Sequence, residues 1–500
     1  MMSNKKIAFR NIIVSLILQI VTIINGFIVP RIILVYFGSE VNGLISSINQ
    51  FLNYISLLEG GVGAVIMAAL YRPLCENNQQ KINGIVNAAN QFFKRIAGIY
   101  VIYVIILAII YPLFIDTSFS WGFISSLVLI IAINLFVQYF FSLSYKVLLN
   151  ADRRGYIVSI TQIVFIILNL VLTIVVVLIY PEIHLLKLAN SLAYLIQPLF
   201  FNVYVNRHYL INKKVKPDNK ALQQRWDGFG QNLAYFVTTN TDIVVLTVLS
   251  TLVNVSIYSV YNMIIIALKG LVNAISSAVV PSMGNVLASN DTRRSNTTFN
   301  QYVLLINIVS TFLFTCATIL ITPFVQVYTL NINDANYNQP IFGVLIVLAN
   351  FFGCIRDPYI NIANAAGQFK SISKYAYTEA AINIIVSVIL VVLNFGLVGV
   401  AIGTMLAMTY RFFAQAYYLK LNVLYRPFLK AIKSIVCMGL VVIICNILTI
   451  FIPKTTSFTF ESWIIYAIPI SFLVIFITLI IFGIFFENDL KGLVGKRLKG

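Results

Sequence analysis

The sequence predicts an all-α, polytopic membrane protein with about fourteen transmembrane helices. Three observations carry this prediction: 60% of the 500 residues are hydrophobic, only 10% are charged, and the apolar residues form long runs. Soluble domains carry about 25% charged residues, so a soluble class is excluded. The net charge of +18 indicates contact with anionic membrane lipid. Nucleic acid is not an expected partner, because no long polar stretch could form a basic binding domain.

Fourteen apolar runs are long enough to cross a bilayer, for which about 20 residues suffice. An even number of crossings places both termini on one side. The crossings are predicted at residues 11–36, 42–70, 85–115, 121–149, 156–180, 185–206, 229–250, 255–287, 302–330, 340–363, 375–395, 397–419, 431–452 and 462–486.

Lysine and arginine are distributed unequally over the connections between these runs. One set of connections, counted with the adjoining ends of the runs and with both termini, carries 26 basic residues, whereas the opposite set carries only Lys187 and Lys454. Basic residues accumulate on the cytoplasmic side of membrane proteins. We therefore expect both termini and the basic connection 207–225 to be cytoplasmic.

The chain also repeats itself with one register. Matching residues in or directly after five pairs of runs are separated by 211 to 214 positions, and six crossings per copy predict two bundles that enter the membrane in the same direction. The predicted organisation is a six-helix bundle at 1–206, a linker at 207–225, a second six-helix bundle at 226–420 and two additional helices at 421–500. The matches include Ser46 with Ser259, Asn49 with Asn262, Pro112 with Pro323, Asn150 with Asn364, Asn169 with Asn383, Leu192 with Leu406 and Tyr204 with Tyr418.

No enzyme constellation is visible in the sequence. There is no GxxxxGK[ST] phosphate loop and no HExxH motif, and the two histidines are predicted near opposite membrane faces. The five cysteines lack CxxC spacing and are interpreted as small buried hydrophobes. We therefore predict no catalytic residue, no metal site and no cofactor.

Asp242 is the most unusual residue of the predicted spans. It lies sixteen residues after Trp226, or ~24 Å along a helix, past the middle of a ~30 Å hydrocarbon core. A carboxylate at such a depth costs roughly 2.5–3.5 kcal/mol, so it should face protein or water. Two interpretations remain open: a hydrogen-bonded carboxyl that holds helices together, or a group that handles substrate or a coupling ion.

Other charged residues of the spans divide into two groups. Arg31 and Lys269 are deep enough to line a cavity; Pro30 could break the helix beside Arg31 and free carbonyl groups for a ligand. Basic residues nearer the span ends are expected to reach the headgroups, while Asp357 could pair with Arg356 and Glu379 could face Lys374 or the interface. The predicted substrate-binding residues are Arg31, Lys269 and Asn240, the predicted coupling or cavity acids are Asp242 and Glu59, and the residues expected to reach the headgroups are Lys94, Arg95, Arg356 and Arg411.

Several segments together resemble a known family. They are residues 37–44 (FGSEVNGL), 57–63 (LLEGGVG), 69–74 (ALYRPL), 240–242 (NTD) and 396–404 (GLVGVAIGT). The chain resembles the bacterial polysaccharide-export proteins, which are oligosaccharide-lipid flippases of the multidrug/oligosaccharidyl-lipid/polysaccharide exporter superfamily. The resemblance implies two bundles around a central cavity, alternating access, and export of an undecaprenyl-diphosphate-linked oligosaccharide for capsule or O-antigen synthesis. It also implies the bacterial cytoplasmic membrane as location and a polysaccharide polymerase as a candidate partner.

Two alternatives compete with a flippase. A cation-coupled multidrug exporter would have the same fold; the excess of bases over acids in the spans argues against it, while Asp242 and Glu59 favour ion coupling. A membrane-embedded sugar-modifying enzyme would need a catalytic dyad and a metal- or nucleotide-binding loop. The longest predicted loop has about twenty residues and no paired carboxylates, which disfavours the enzyme.

Overall fold

The chain is all-α throughout the residues that the computed structural model describes, which are 4–219, 229–288, 291–424, 427–452, 459–487 and 489–491. Trp226, residues 220–225 of the predicted linker, Lys454 and Gly500 lie outside this part. The described helices are α1 Asn4–Asn53, α2 Ser56–Glu59, α3 Val62–Cys75, α4 Gln79–Ile110, α5 Trp121–Val137, α6 Leu143–Ala151, α7 Gly155–Ile179, α8 Ile183–Ala193, α9 Ile196–His208, α10 Phe229–Leu249, α11 Leu252–Ala288, α12 Thr292–Tyr328, α13 Pro340–Ala365, α14 Phe369–Val392, α15 Gly396–Asn422, α16 Leu429–Thr449 and α17 Phe460–Phe485.

The helices agree with the predicted crossings. Within the described residues, twelve helical segments are long and apolar enough to span a membrane, and two shorter apolar helices lie at Val62–Cys75 and Phe236–Leu249. Helices are the expected solution, because hydrocarbon offers no partner for an unpaired backbone N–H or C=O group. The predicted fold class, an all-α protein with about fourteen transmembrane helices, is confirmed.

The first two predicted crossings are joined almost without a loop. They share the 50-residue helix α1, whose helical geometry is interrupted at Gly38, with φ 83° and ψ 176°. This backbone region is essentially restricted to glycine. Pro30 lies inside the continuous part of α1. The expectation that Pro30 breaks the helix is therefore wrong, and the interruption lies eight residues later.

The second crossing is discontinuous. After Asn53 the chain makes a short helix, α2, and then passes through Gly60 and Gly61, which both have left-handed φ values of 50° and 84°. Glycine reaches these values without the steric cost that other residues have. The glycine run of the 57–63 segment is therefore the site of a helix break.

The described residues divide into two compact units. The N-terminal unit lies within Met1–Phe236 and Thr251–Val255, and the C-terminal unit within Val237–Ser250 and Ser256–Gly500. An apolar core of side chains from α1 to α9 fills the N-terminal unit. In the C-terminal unit, α13, α14 and α15 pack closely together.

The two units repeat a detailed backbone motif. Helix α6 ends where the N–H of Arg154 bonds to the C=O of Leu149 at 2.8 Å, after Arg153 with φ 59°. Helix α13 ends in the same way: the N–H of Gln368 bonds to the C=O of Ala363 at 2.9 Å, after Gly367 with φ 74°. Both are left-handed helix ends of the Schellman type. Every residue of the second motif follows its counterpart by 214 positions, the spacing found in the sequence.

Candidate functional site

Asp242 lies on α10 and is 4% exposed. Three neutral groups from three other helices donate hydrogen bonds to its carboxylate. Tyr258 Oη on α11 donates to Oδ2 at 2.9 Å, and Thr404 Oγ1 on α15 lies 3.0 Å from Oδ1 and 2.8 Å from Oδ2. Asn383 Nδ2 on α14 donates to Oδ1 at 3.4 Å and to Thr404 Oγ1 at 2.9 Å. Four helices of the C-terminal unit therefore meet at one carboxyl group.

This cluster, named here the Asp242 cluster and made of Asp242, Tyr258, Asn383 and Thr404, has spare oxygen ligands. Within the described part of the chain, Asn383 Oδ1 is buried without a hydrogen-bond partner, and so is Ser387 Oγ, one helical turn further along α14. Buried polar atoms almost always have partners. Carboxylate, amide and hydroxyl oxygens are the ligands that hard cations prefer. The arrangement can therefore accept a proton or a small cation.

Close packing of two helices makes the cluster possible. A Cβ atom on Gly403 of α15 would lie 2.2 Å from Ser387 Oγ and 2.9 Å from Ser387 N on α14. Only glycine fits at this distance. The approach places Thr404, the next residue, beside Asn383. Glycine in the 396–404 segment thus has a packing role next to the Asp242 cluster.

Lys269 does not form an ion pair with Asp242. Lys269 is half-buried on α11, and its Nζ donates to Asn350 Oδ1 on α13 at 3.2 Å. Among the described residues no ion pair within 4.0 Å involves Asp242. The carboxyl is compensated by neutral donors instead. Lys269 likewise has no acid of the described residues within ion-pair distance.

Three charged side chains form a second buried cluster, the Arg356–Glu379–Arg411 triad. Glu379 on α14 pairs with Arg356 Nη1 on α13 and with Arg411 Nη1 on α15, the latter at 3.2 Å. Glu379, Arg356 and Arg411 are 4%, 5% and 2% exposed. The expectation that Arg356 and Arg411 reach the headgroups, and that Glu379 faces Lys374 or the interface, is wrong. The expected local pair is confirmed, with Arg356 Nη2 3.3 Å from Asp357 Oδ1.

Burial of this triad has a physical reason. Both arginines lie on faces of α13 and α15 that pack against α14. A guanidinium that cannot reach the headgroups needs an anion, and Glu379 serves two of them. From a single sequence, an arginine buried in this way cannot be distinguished from one that reaches the headgroups, because the depth of a residue in the membrane does not say which way its side chain points.

In the N-terminal unit, Glu59 ends α2 beside the helix break. Its Oε2 accepts a hydrogen bond from Tyr139 Oη at 3.4 Å, and it interacts electrostatically with the buried Lys146. Tyr139 belongs to a π-helical turn, Gln138–Ser142, which precedes α6. Such turns are frequent at functional sites. Lys146 is a buried residue of α6.

The remaining candidates occupy more exposed places. Arg31 is half-buried on α1, and Asn240 is half-buried on α10, where its Nδ2 donates to Thr239 Oγ1 at 3.0 Å. Among the described residues no group of three or more His, Cys, Asp or Glu side chains could hold a metal ion. Asp242 and Lys269 thus lie in one unit with Asn240, and Arg31 and Glu59 in the other.

Sequence reasoning missed Tyr258, Thr404 and the ligand role of Asn383. Asn383 was recognised only as the repeat counterpart of Asn169. The signal that could have found it was the combination of an amide deep in a span with a small residue pair, Gly403 and Thr404, on the following span. A polar residue inside a membrane helix normally faces another polar group.

The fold has known relatives among transport proteins. The lipid II flippase MurJ in an inward closed conformation superposes with a TM-score of 0.71 at 17% sequence identity, over 96% of this chain and 99% of the MurJ chain. The MATE multidrug transporter DinF-BH gives 0.65 at 15% identity, over 85% of this chain and 98% of the transporter. An inward-facing multidrug resistance MATE family transporter of the MOP superfamily gives 0.58 at 13% identity, over 82% and 98%.

These likenesses define the fold, which this chain has in common with MurJ and the MATE transporters. No family model matches the chain. No curated protein sequence matches it either.

Proposed function

We propose that this protein is a flippase that moves an undecaprenyl-diphosphate-linked oligosaccharide across the bacterial cytoplasmic membrane by alternating access. The observation that carries the proposal is the extent of the likeness to MurJ. It covers 96% of this chain, whereas the likeness to the two MATE transporters leaves 15% and 18% of the chain without a counterpart. That share, roughly 75 residues or more, has the size of the segment 421–500, which lies outside the internal repeat. The additional helices favour a lipid-linked cargo over a multidrug exporter.

The cargo is proposed to be anionic at its lipid-linked end. Without the first and last four positions of each span, six basic residues and four acidic residues occupy the predicted spans. In the described structure Glu379 compensates two of the arginines, while Lys269 donates a hydrogen bond to the Asn350 amide and has no acid within ion-pair distance. Lysine and arginine bind phosphate oxygens through charge-assisted hydrogen bonds. Lys269, with Arg31 and Asn240, is therefore proposed to contact the diphosphate.

Asp242 is proposed to couple transport to a cation gradient. The carboxylate is deeply buried, accepts its hydrogen bonds from neutral donors, and lies near oxygens of Asn383 and Ser387 that have no hydrogen-bond partner among the described residues. A proton or Na⁺ would neutralise it and would draw α10, α11, α14 and α15 around the bound ion. Intramembrane acids of transporters commonly act as such ion relays. Glu59, beside a break in the second crossing, is the proposed second acid.

An orientation in the membrane and a protein partner are also proposed. Both termini and the connection 207–225 are proposed to face the cytoplasm, where anionic lipids would meet their basic residues. A polysaccharide polymerase that receives the exported repeat unit is the proposed protein partner. The protein itself would perform no bond-making or bond-breaking chemistry.

Reconstitution tests the proposal directly. Purified protein in vesicles would be given a fluorescent undecaprenyl-diphosphate oligosaccharide, and an impermeant quencher would report the label in the opposite leaflet. The Arg31→Ala, Lys269→Ala double variant should move the lipid at least about tenfold more slowly, since two charge-assisted contacts are lost. Exposed Lys370→Ala is the matched control. Normal movement by the double variant would remove the basis for the diphosphate site.

The same vesicles test coupling and the multidrug alternative. Asp242→Asn should bind the labelled lipid like the wild type but should show no stimulation by a Na⁺ or proton gradient, whereas the loop variant Asp334→Asn should respond normally. Gradient-driven movement of a cationic fluorescent dye, without movement of the labelled lipid, would contradict the flippase proposal and favour a multidrug exporter.

A further inference from the structure

The N-terminal unit contains a polar pocket away from the sites described above. It has a volume of about 170 Å³ and lies between α1, α5, α7 and α8. Side chains of Asn25, Asn169, Asn190, Thr173, Tyr194 and Lys187 line it. Lys187 was placed in a connection from the sequence; it is instead a residue of α8 and the only charged side chain among the pocket's described lining residues.

Amide oxygens, rather than amide nitrogens, are available in this pocket. Asn169 Nδ2 donates to the C=O of Phe165 at 3.0 Å, and Asn190 Nδ2 donates to Thr173 Oγ1 at 3.1 Å. The Oδ1 atoms of Asn25, Asn169 and Asn190 are buried and have no hydrogen-bond partner among the residues that the structure describes. Three unsatisfied acceptors at one pocket are costly unless a donor occupies it.

The internal repeat relates this pocket to the Asp242 cluster. At a spacing of 214, Asn169, Thr173 and Asn190 correspond to Asn383, Ser387 and Thr404. The acid has no counterpart at the spacing of 213 found for the second crossing of each copy: Val29, which lines the pocket, takes the position of Asp242. Lys187 stands where the C-terminal unit has Ala401. The same scaffold therefore holds a positive charge in one unit and a negative charge in the other.

This inversion determines which ligand fits. A metal cation would be repelled by Lys187, and an anion would face three carbonyl oxygens. The required group accepts a hydrogen bond from an ammonium and donates hydrogen bonds to amide oxygens. A hydroxyl group does both. The volume would hold about five waters at ~30 Å³ each, or one sugar ring.

We propose that this pocket binds the hydroxyl groups of one sugar residue of the cargo. The proposal rests on the proposed function, because it assigns the sugar part of the same lipid-linked oligosaccharide to the N-terminal unit. Lys187 donates to a sugar oxygen, and the oxygens of Asn25, Asn169 and Asn190 accept from sugar hydroxyls. The ring of Tyr194 adds an amphipathic surface beside them.

Equilibrium binding of radiolabelled neutral hexoses and N-acetylhexosamines to the purified full-length protein tests the pocket. At least one of these sugars should bind the wild type. Lys187→Met and Asn190→Ala should each weaken its binding about tenfold, because each removes a direct hydrogen bond. The exposed Lys81→Met is the matched control. Asn169→Ala provides an independent variant of the same kind, should one of the others fail to fold.

The outcomes separate this proposal from the flippase proposal. Absence of sugar binding by the wild type, or equal binding by wild type and all three pocket variants, overturns the pocket and indicates that water alone fills it. Movement of the fluorescent lipid in vesicles would stand in that case. Loss of lipid movement with normal, Lys187-dependent sugar binding would overturn the flippase proposal alone.

Discussion

The two units carry one polar scaffold and treat charge differently. In the C-terminal unit, Asp242 and the Arg356–Glu379–Arg411 triad place four charged side chains in the helical interior. In the N-terminal unit, the positions 213 or 214 residues earlier hold neutral, buried or half-buried side chains. The pairs are Asp242 with Val29, Arg356 with Ser142, Glu379 with Phe165, and Arg411 with Gln197. The N-terminal unit thus forms its helical framework without charges at these positions. We therefore expect the four charged side chains of the C-terminal unit to have a role other than folding.

Substitution of Glu379, the acid that pairs with both arginines of the triad, should lower the free energy of unfolding most. Glu379→Gln leaves the buried Arg411 without its paired anion and Arg356 with only the partly exposed Asp357, and breaking a buried ion pair in this way costs about 3–5 kcal/mol. Thermal unfolding of the purified variant should show a correspondingly large loss. The exposed pair Arg72–Glu76 is the control, since Glu76→Gln should leave the unfolding temperature unchanged.

Removal of all three charges of the triad tests the same difference between the units. The triple variant Arg356→Met, Glu379→Leu, Arg411→Met replaces the charges by apolar groups of similar size. The corresponding positions of the N-terminal unit are also uncharged. The triple variant should be more stable than Glu379→Gln by a few kcal/mol. A triple variant less stable than the single one would show that the charges are needed for packing.

The next effect concerns the helix contact behind the Asp242 cluster. Gly403→Ala would force its Cβ into Ser387, and overpacking of this kind costs about 1–3 kcal/mol. The counterpart 214 residues earlier is Ala189, so the N-terminal unit already accepts a methyl group there. Ala189→Gly should cost only the helix propensity, about 1 kcal/mol. Equal losses in the two unfolding measurements would contradict the difference in packing.

The smallest effect concerns the start of α8. Glu182 accepts hydrogen bonds from the N–H groups of His184 at 3.0 Å and Leu185 at 2.6 Å, whereas α15 begins at the corresponding Gly396 without a side-chain cap. Partial burial opposes the charged form, but these backbone hydrogen bonds hold the pKa of Glu182 below its usual 4.5. Glu182→Ala should lower stability by about 0.5–1 kcal/mol.

The sign of the pH dependence follows from the lowered pKa. The contribution of Glu182 is fully present above about pH 4.5 and is lost as the pH falls through the lower pKa of the folded state. Unfolding curves of wild type and Glu182→Ala should therefore converge on acidification. A constant difference down to the lowest pH would indicate that the side chain acts through packing.

Much of the fold was predictable because the membrane imposes it. Apolar run length and the spacing of Asn169 and Asn383 indicated the helices and the repeat, since a membrane span must be helical and a duplicated span keeps its register. The missing detail was local backbone geometry. The sequence favoured Pro30 as the break in α1, but a proline can be accommodated within a membrane helix, whereas Gly38 adopts a conformation closed to other residues.

The site was predictable only in part. Asp242 stood out because a lone acid in an apolar run is costly wherever it points. Tyr258, Thr404 and Asn383 did not, because hydroxyls and amides are common in membrane helices and become partners only through tertiary packing. The sequence also does not show which way a side chain points: Lys187 lines a pocket, whereas Lys94 is exposed.

The interruption at Gly38 limits what can be added to the protein. A single non-helical residue, Gly38, separates the two helical parts of α1, so no loop is available at this position. An epitope or reporter inserted there would have to unwind the helix on both sides. The connection 329–339 between α12 and α13 has exposed residues and no regular structure over most of its length. Labels intended to follow the protein through its cycle are better inserted there.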